Sequence, residues 1–183
     1  MLGVSRRHSI TDEFFPSFFH LIIWGHEHES IPKAVEVIET GVNILQPGST
    51  VATSLIQAES LQKHSFQLYI HEKSFKITPT PLLNTRPILY KQIILSKSGI
   101  DPFRTDLVEN YLRKEIKKML REVDFSEKPL HFQVPLIRFK IEYTGYSIIK
   151  GRSINKLMMG KVANPTNILQ WHKKQKHIPA EKG

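Results

Sequence analysis

The chain of 183 residues contains no cysteine. Disulfides and thiolate metal sites are thereby excluded, in keeping with a reducing compartment. Nor is there an apolar run approaching the roughly 20 residues that a membrane-spanning helix needs. The opening "MLGVSRRHSITDEFF" lacks the continuous apolar core of a secretory signal. No internal repeat or low-complexity tract is found. The hydroxyls of Ser49, Thr50, Thr53 and Ser54 have no paired base in view, which leaves hydroxyl-nucleophile chemistry without support. What is present is a soluble, globular composition, 40% hydrophobic and 23% charged. It is long enough for one large domain or two small ones with a real core.

Positive charge is scarce in only one half. Residues 1–82 hold six Lys/Arg against eight Asp/Glu, and residues 83–183 hold twenty against nine, so the net charge of +9 comes from the second half. A field of that sign attracts polyanions. Nucleic acid is the first partner it points to and an anionic membrane surface the second; a solvated surface with a basic bias is the bland alternative. The charge break falls at "KITPTPLLNTRP", where Pro79, Pro81 and Pro87 are expected to interrupt ladders and helices. A boundary near residue 83 follows, with domains 1–82 and 83–183.

The first part reads as strands. "FFHLIIW" and "AVEVIETGVNILQ" are rich in aromatic and β-branched residues, and "SFQLYIHEKSFKITPT" alternates about a turn near Glu72 to Ser74. After the boundary the elements alternate. "PILYKQIIL" is a strand, and Asp101-Pro102 is expected to open a helix running to about Val123. On that helix Val108, Leu112, Ile116, Met119, Leu120 and Val123 form an apolar arc, and Arg113, Lys114, Lys117, Lys118 and Arg121 form the opposite, basic one. "LIRFKIEYTG" alternates as a half-buried strand, a second helix covers roughly Ile154 to Val162, and "NPTNILQWHKKQKH" is expected to start a third. The fold class is α/β in the α+β sense: an edge of a layered β structure followed by a small α/β unit.

Two stretches carry candidate chemistry. In "LIIWGHEHES" a strand runs into His26 and His28. Extended backbone would send both imidazoles to one side, with Gly25 allowing a sharp turn, and neutral imidazole is a common ligand of first-row metals. Two histidines alone are equally an exposed loop, because each metal takes about three protein ligands. The second stretch is the basic helix face from Arg113 to Arg121, suited to a phosphate backbone or else simply solvated. Arg152, Lys156 and Lys161 add cations, as do Lys173, Lys174 and Lys176 beside Trp171. Trp171 either stacks on a base or packs a terminal helix. Lys63-His64 is placed to neighbour the histidine loop or to be merely structural.

In order along the chain, "WGHEHE", "QPGSTVATSL", "KHSFQLY", "TRPILYKQIIL" and "GKVANPTNIL" resemble the eukaryotic meiotic recombination eleven (Mre-eleven) family of DNA double-strand-break-repair nucleases. The likeness extends from about Arg7 to Lys174. It implies the C-terminal part of a calcineurin-like metallophosphoesterase β-sandwich in 1–82 and a capping, DNA-binding domain in 83–183. It also implies Mn²⁺-dependent phosphodiester cleavage, 3'-5' exonucleolytic and endonucleolytic, by two ions that polarise the phosphodiester and generate a hydroxide. By motif position His26 and His28 match paired metal ligands, one to each ion. Arg152, Asn155, Lys156 and Lys161 match polar positions before "VANP", with an apparent extra residue around Met158-Met159.

The same resemblance implies a coiled-coil ATPase partner, a nibrin-type subunit, a homodimer in the full-length protein, a nuclear location and no membrane. The family's upstream Asp-x-His, Gly-Asp and Asn-His motifs do not occur in this sequence. The expectation is therefore a fragment that supplies two metal ligands and a DNA-binding cap, contains no catalytic residue of its own and is inactive alone. A non-catalytic DNA-binding or scaffold module is the alternative, and a small-substrate metallophosphatase a further one.

Overall fold

The computed structural model describes residues 15–124, 126, 128–129 and 132–174; Lys176 lies outside them. The chain forms two compact units, Met1–Ala52 with Leu61–Leu82, and Thr53–Ser60 with Leu83–Gly183. The stretch 53–60, which the sequence reading keeps with 1–82, therefore packs with the later unit. No helix among the described residues is long and apolar enough to cross a membrane.

In the first unit, β1 (Leu21–Ile23) runs parallel to β3 (Asn43–Leu45), and β2 (Val35–Glu36) lies antiparallel on the other side of β3. Of "FFHLIIW" only the last apolar triplet before Trp24 is strand, and Phe18 and Phe19 are exposed. Among the described residues of this unit the buried apolar side chains are Val37, Val42, Ile44 and Leu45, which places its core at the central strand.

A hairpin completes the unit: β4 (His64–His71) pairs antiparallel with β5 (Ser74–Pro81) through a two-residue turn in which Glu72 has φ +52°. Pro79 and Pro81, expected to break the ladder, lie within β5 opposite Phe66 and His64. The reason is geometric. Leu82 N donates to Lys63 O at 2.8 Å, so even-numbered β5 residues face β4 and the odd-numbered prolines face outward, where a missing N–H breaks no bond.

The second unit is built on a parallel sheet, β6 (Ile88–Ile94), β7 (Leu136–Glu142) and β8 (Leu169–His172), in that order. A short helix α1 (Gln57–Ser60) also belongs to this unit. Parallel neighbours need crossovers. These are supplied by α2 (Thr105–Arg121) and α3 (Arg152–Met158). Val108, Leu112 and Ile116 of α2 are buried with Ile154 and Met158 of α3 against Ile137, Phe139 and Ile141 of β7, forming one core. Both helices thus lie on the face to which the odd-numbered residues of β7 point.

Two expectations need correction here. Asp101 does not open the helix. Its Oδ1 accepts from Phe103 N at 2.9 Å and its carbonyl from Arg104 N at 3.0 Å, making a turn from which α2 starts at Thr105. The expected third helix is strand β8. Leu169 and Trp171 alternate onto the core beside Phe139 and Ile141, a period-two pattern that the lysines after Trp171 obscure. Trp171 packs edge-to-face on Tyr143 at 5.9 Å from this strand.

Candidate functional site

The histidine loop is held by the turn that follows β3. Trp24 N donates to Leu45 O at 2.7 Å, prolonging the β1–β3 ladder by a step. The chain then loops out and returns where Ile31 N donates to Gln46 O at 2.9 Å. Gln46 Nε2 donates to Glu29 O at 3.0 Å, and Ser49 N donates to His28 O at 3.3 Å. Between these two contacts Gly48, at φ +70°, lies so close that a Cβ there would stand 2.6 Å from Glu29 C and Ser30 N. Only glycine satisfies both the dihedral and the space.

Below the loop lies Lys63, its side chain buried, with Nζ donating to Ser49 Oγ at 2.9 Å and to His28 O at 3.3 Å. Ser30, also buried, shares a 3.1 Å hydrogen bond with His64 Nδ1. Lys63-His64 therefore does neighbour the histidine loop, as one of the two readings had it. A buried ammonium requires such partners, and they fix the carbonyl of His28.

The route by which the two imidazoles were expected to reach one side is not the one taken. Residues 24–28 are not extended strand, and the turn is made by His26 at φ +73°, not by Gly25. A left-handed conformation costs a non-glycine residue about 1–2 kcal/mol, and such residues gather at functional loops. His26 is exposed and His28 half-buried. Among the described residues no group of three or more His, Asp or Glu side chains gathers to hold a metal ion. Two imidazoles do not make up a two-ion centre, so these residues do not fit the complete group and no step of bond cleavage is assigned to them.

In the second unit the basic positions separate into two kinds. Lys114, Lys117, Lys118 and Arg121 are exposed, at i, i+3, i+4 and i+7 of α2, along about 10 Å of one face. Lys114, Lys117 and Arg121 have no ion-pair partner among the described residues, and Lys118 has only a loose 3.9 Å contact with Glu122. Shallow surface grooves run beside them, lined by Tyr111, Lys114 and Lys117, and then by Lys118 and Arg121.

Arg113 lines the first of these grooves with Lys114 and Lys117, but it is engaged where they are not. Its guanidinium bonds Glu109 at 3.0 Å and the Ser153 hydroxyl of α3, tying the two helices together. Asn155 turns inward as well: in the amide orientation that satisfies its surroundings it donates to Pro165 O at 3.0 Å and to Gly151 O at 3.2 Å. Arg152, Lys156 and Lys161 are exposed. Lys173 stands 5.7 Å from the Tyr143 ring.

The motif "VANP" is structural. Asn164 Oδ1 accepts from Ile137 N at 2.9 Å while its Nδ2 donates to Ile137 O at 2.8 Å, so the side chain pairs with the start of β7 as a strand residue would. Ala163 N donates to Pro135 O at 2.8 Å, continuing the contact. Nothing in the spacing of the motif announces this, since the pairing spans 27 residues.

The model of the Mre11 DNA-binding presumed domain matches residues 75–183. The chain belongs to the Mre11 family. Its Mre11 relatives include the double-strand break repair protein MRE11 of Arabidopsis thaliana, 37% identical over 174 residues that make up 93% of this chain and 24% of that protein. The protein of the same name from Oryza sativa subsp. indica is 36% identical over 173 residues, 92% of this chain and 24% of that protein. That of Homo sapiens is 28% identical over 188 residues, 94% and 26% respectively. The chain thus spans about a quarter of the length of the curated Mre11 relatives it matches. The α+β architecture and the family resemblance read from the sequence both stand, and the Mre11 match takes in β6, α2, β7, α3 and β8, with the whole basic helix face.

Proposed function

We propose that this chain serves DNA double-strand-break repair by binding DNA through the exposed cations of α2, within the region that matches the DNA-binding domain of its family. The observation that carries this reading is the row Lys114, Lys117 and Arg121, exposed and without ion-pair partners among the described residues. A row of exposed cations with no carboxylate closely paired to it is available to phosphates. Arg152, Lys156 and Lys161 are the second group of candidates; Arg113 and Asn155 rank below them, because Nη2 of Arg113 is tied to Glu109 and Ser153 and the Asn155 amide to Pro165 O and Gly151 O.

Within the same reading, 1–82 is part of a metallophosphoesterase core and 83–183 its DNA-binding cap. His26 and His28 would furnish two imidazoles to manganese ions whose remaining ligands come from other residues. Nuclease chemistry, a nuclear location, the coiled-coil ATPase and nibrin-type partners and a homodimer belong to the whole protein under this proposal. The name that these relatives share, double-strand break repair protein MRE11, supports the repair role.

The test is charge reversal of Lys114, Lys117 and Lys118 together, read by fluorescence anisotropy with a labelled duplex across a salt series. Duplex affinity should fall and the slope of log K against log salt should flatten by up to about 2.7, the release expected for three phosphate contacts. An unchanged slope would return this face to ordinary solvated surface.

A further inference from the structure

The two faces of the β6–β7–β8 sheet are not treated alike. One is buried under α2 and α3, where Ile137, Phe139 and Ile141 are fully inaccessible. Parallel sheets are as a rule covered by apolar layers on both sides. On the other side the central strand presents Leu136, beside the buried Ile88 in the first row, then Arg138 and Lys140, and last Glu142. By register Tyr90 stands beside Arg138, and Gln92 and Gln170 flank Lys140 on either side. No apolar side chain occupies these two rows, and Gln92 and Gln170 are exposed. The middle of the face therefore suits a polar, anionic occupant, while its first row, Ile88 with Leu136, is apolar.

We infer that this face of the sheet binds a single strand of nucleic acid, as a second surface beside the α2 row; the inference rests on the DNA-binding reading above. Arg138 and Lys140 are two residues apart, about 6.6 Å along the strand, comparable with the step between successive phosphates of an extended single strand. The three strands together span about 10 Å, a flat platform that fits one strand laid across it, whereas a duplex is a cylinder that meets a flat sheet along a line. Tyr90 supplies an aromatic ring beside the cations, the pairing of stacking with charge that single-strand sites use.

Arg138 is already oriented. Its Nη1 donates to Asn167 Oδ1 at 3.1 Å, while Nε is buried with no hydrogen-bond partner among the described residues. Such a donor costs free energy until a ligand or water meets it. The cationic rows end at Glu142, which lies opposite His172 and accepts from Thr144 N at 2.8 Å, so the polarity of the face changes at the C-terminal end of the strands.

The experiment uses the full 183-residue chain, a labelled thymidine-only oligonucleotide and a labelled mixed-sequence duplex, with anisotropy read across a salt series. Arg138→Glu with Lys140→Glu should weaken single-strand binding by about tenfold or more and flatten its salt slope by about 1.4, two phosphates' worth. The Lys114, Lys117 and Lys118 reversal should instead weaken the duplex more. If the double variant loses its circular dichroism, Lys140→Gln alone decides, with a several-fold loss of single-strand affinity expected. Unchanged single-strand affinity in a folded variant overturns the inference. Duplex binding with no single-strand binding by the unaltered chain overturns it too, yet leaves the DNA-binding reading standing. Binding of neither probe overturns both.

Discussion

Replacing Gly48 by alanine should loosen the histidine loop more than the same change at any other described glycine. Two costs combine. The backbone there has φ +70°, which an L side chain adopts at a cost of about 1–2 kcal/mol. The new Cβ would also stand 2.6 Å from Glu29 C and from Ser30 N, and 2.7 Å from Glu29 O. All three are backbone atoms, with no side-chain rotamer to yield, so the loop must shift, at the roughly 1–3 kcal/mol typical of overpacking. The sum is about 2–5 kcal/mol. At about 2–4 °C per kcal/mol for a chain of this size, thermal unfolding should move down by on the order of 10 °C.

Gly41 is the internal control, because its φ is +71° but nothing lies within 4 Å of its would-be Cβ. Gly41→Ala should show the dihedral cost alone, about 1–2 kcal/mol. The assay is denaturant and thermal unfolding of the full chain, with hydrogen exchange at Ile31 N and Ser49 N, the amides that bond across the contact. Equal destabilisation by the two alanines would refute the close approach of the "QPGST" turn to the loop.

Three further outcomes can be checked. Lys63→Met should cost about 2–3 kcal/mol, as hydrogen bonds from a charged donor to Ser49 Oγ and His28 O are lost, and should accelerate exchange at Ser49 N; an undiminished melting temperature counts against the buried ammonium as a brace. Asn164→Ala should cost about 2–4 kcal/mol by leaving Ile137 N and O unmatched at a fully buried position, whereas a loss under about 0.5 kcal/mol would mean that water replaces the side chain. Incubated with Mn²⁺, the purified 183-residue chain should not cleave DNA, and cleavage that disappears in His28→Ala would show that its two histidines suffice.

Acid sensitivity offers another check. The hydroxyl of Thr144, and then its N–H, hold the Glu142 carboxyl below the usual range. A lowered folded value means that this contribution is present above the unfolded carboxylate range, near 4.3, and is lost as pH falls through the folded value. Glu142→Gln should therefore flatten the decline of stability below about pH 4.3 and leave its slope at neutral pH alone. An identical acid limb would remove Glu142 from the account.

Period and propensity made most of the second unit legible. Val108, Leu112 and Ile116 mark the buried side of α2 in the sequence, and the same residues are buried in the fold. Where reading by period failed, a competing pattern was present. In β8 the cations following Trp171 look like a helix end, and the strand is declared only by its parallel neighbour, Phe139 to Glu142. At Asp101 the acid and proline make a turn before the helix, a distinction of four residues that composition does not carry.

The candidate sites were half visible for a related reason. His26 and His28 stand out as residue types, but the parts that fix their loop, Gln46, Gly48 and Lys63, lie up to 35 residues away and are ordinary in isolation. Arg113 and Lys114 are indistinguishable as letters. Only the position of Ser153 on α3 shows that Arg113 is engaged and Lys114 open.

The prolines of β5 give the hairpin a direction. Two of its outward positions, Pro79 and Pro81, have no N–H to offer a further strand, while the residues of β4 retain all of theirs. Strand addition is a templated reaction, and here one template is half erased. A sheet that this hairpin joins is favoured to grow from β4, where Leu68, Tyr69 and Ile70 are exposed. Pro79 and Pro81 thus give the hairpin one strong edge and one weak one: it suits the last pair of strands in a larger sheet and resists being a link in an endless one.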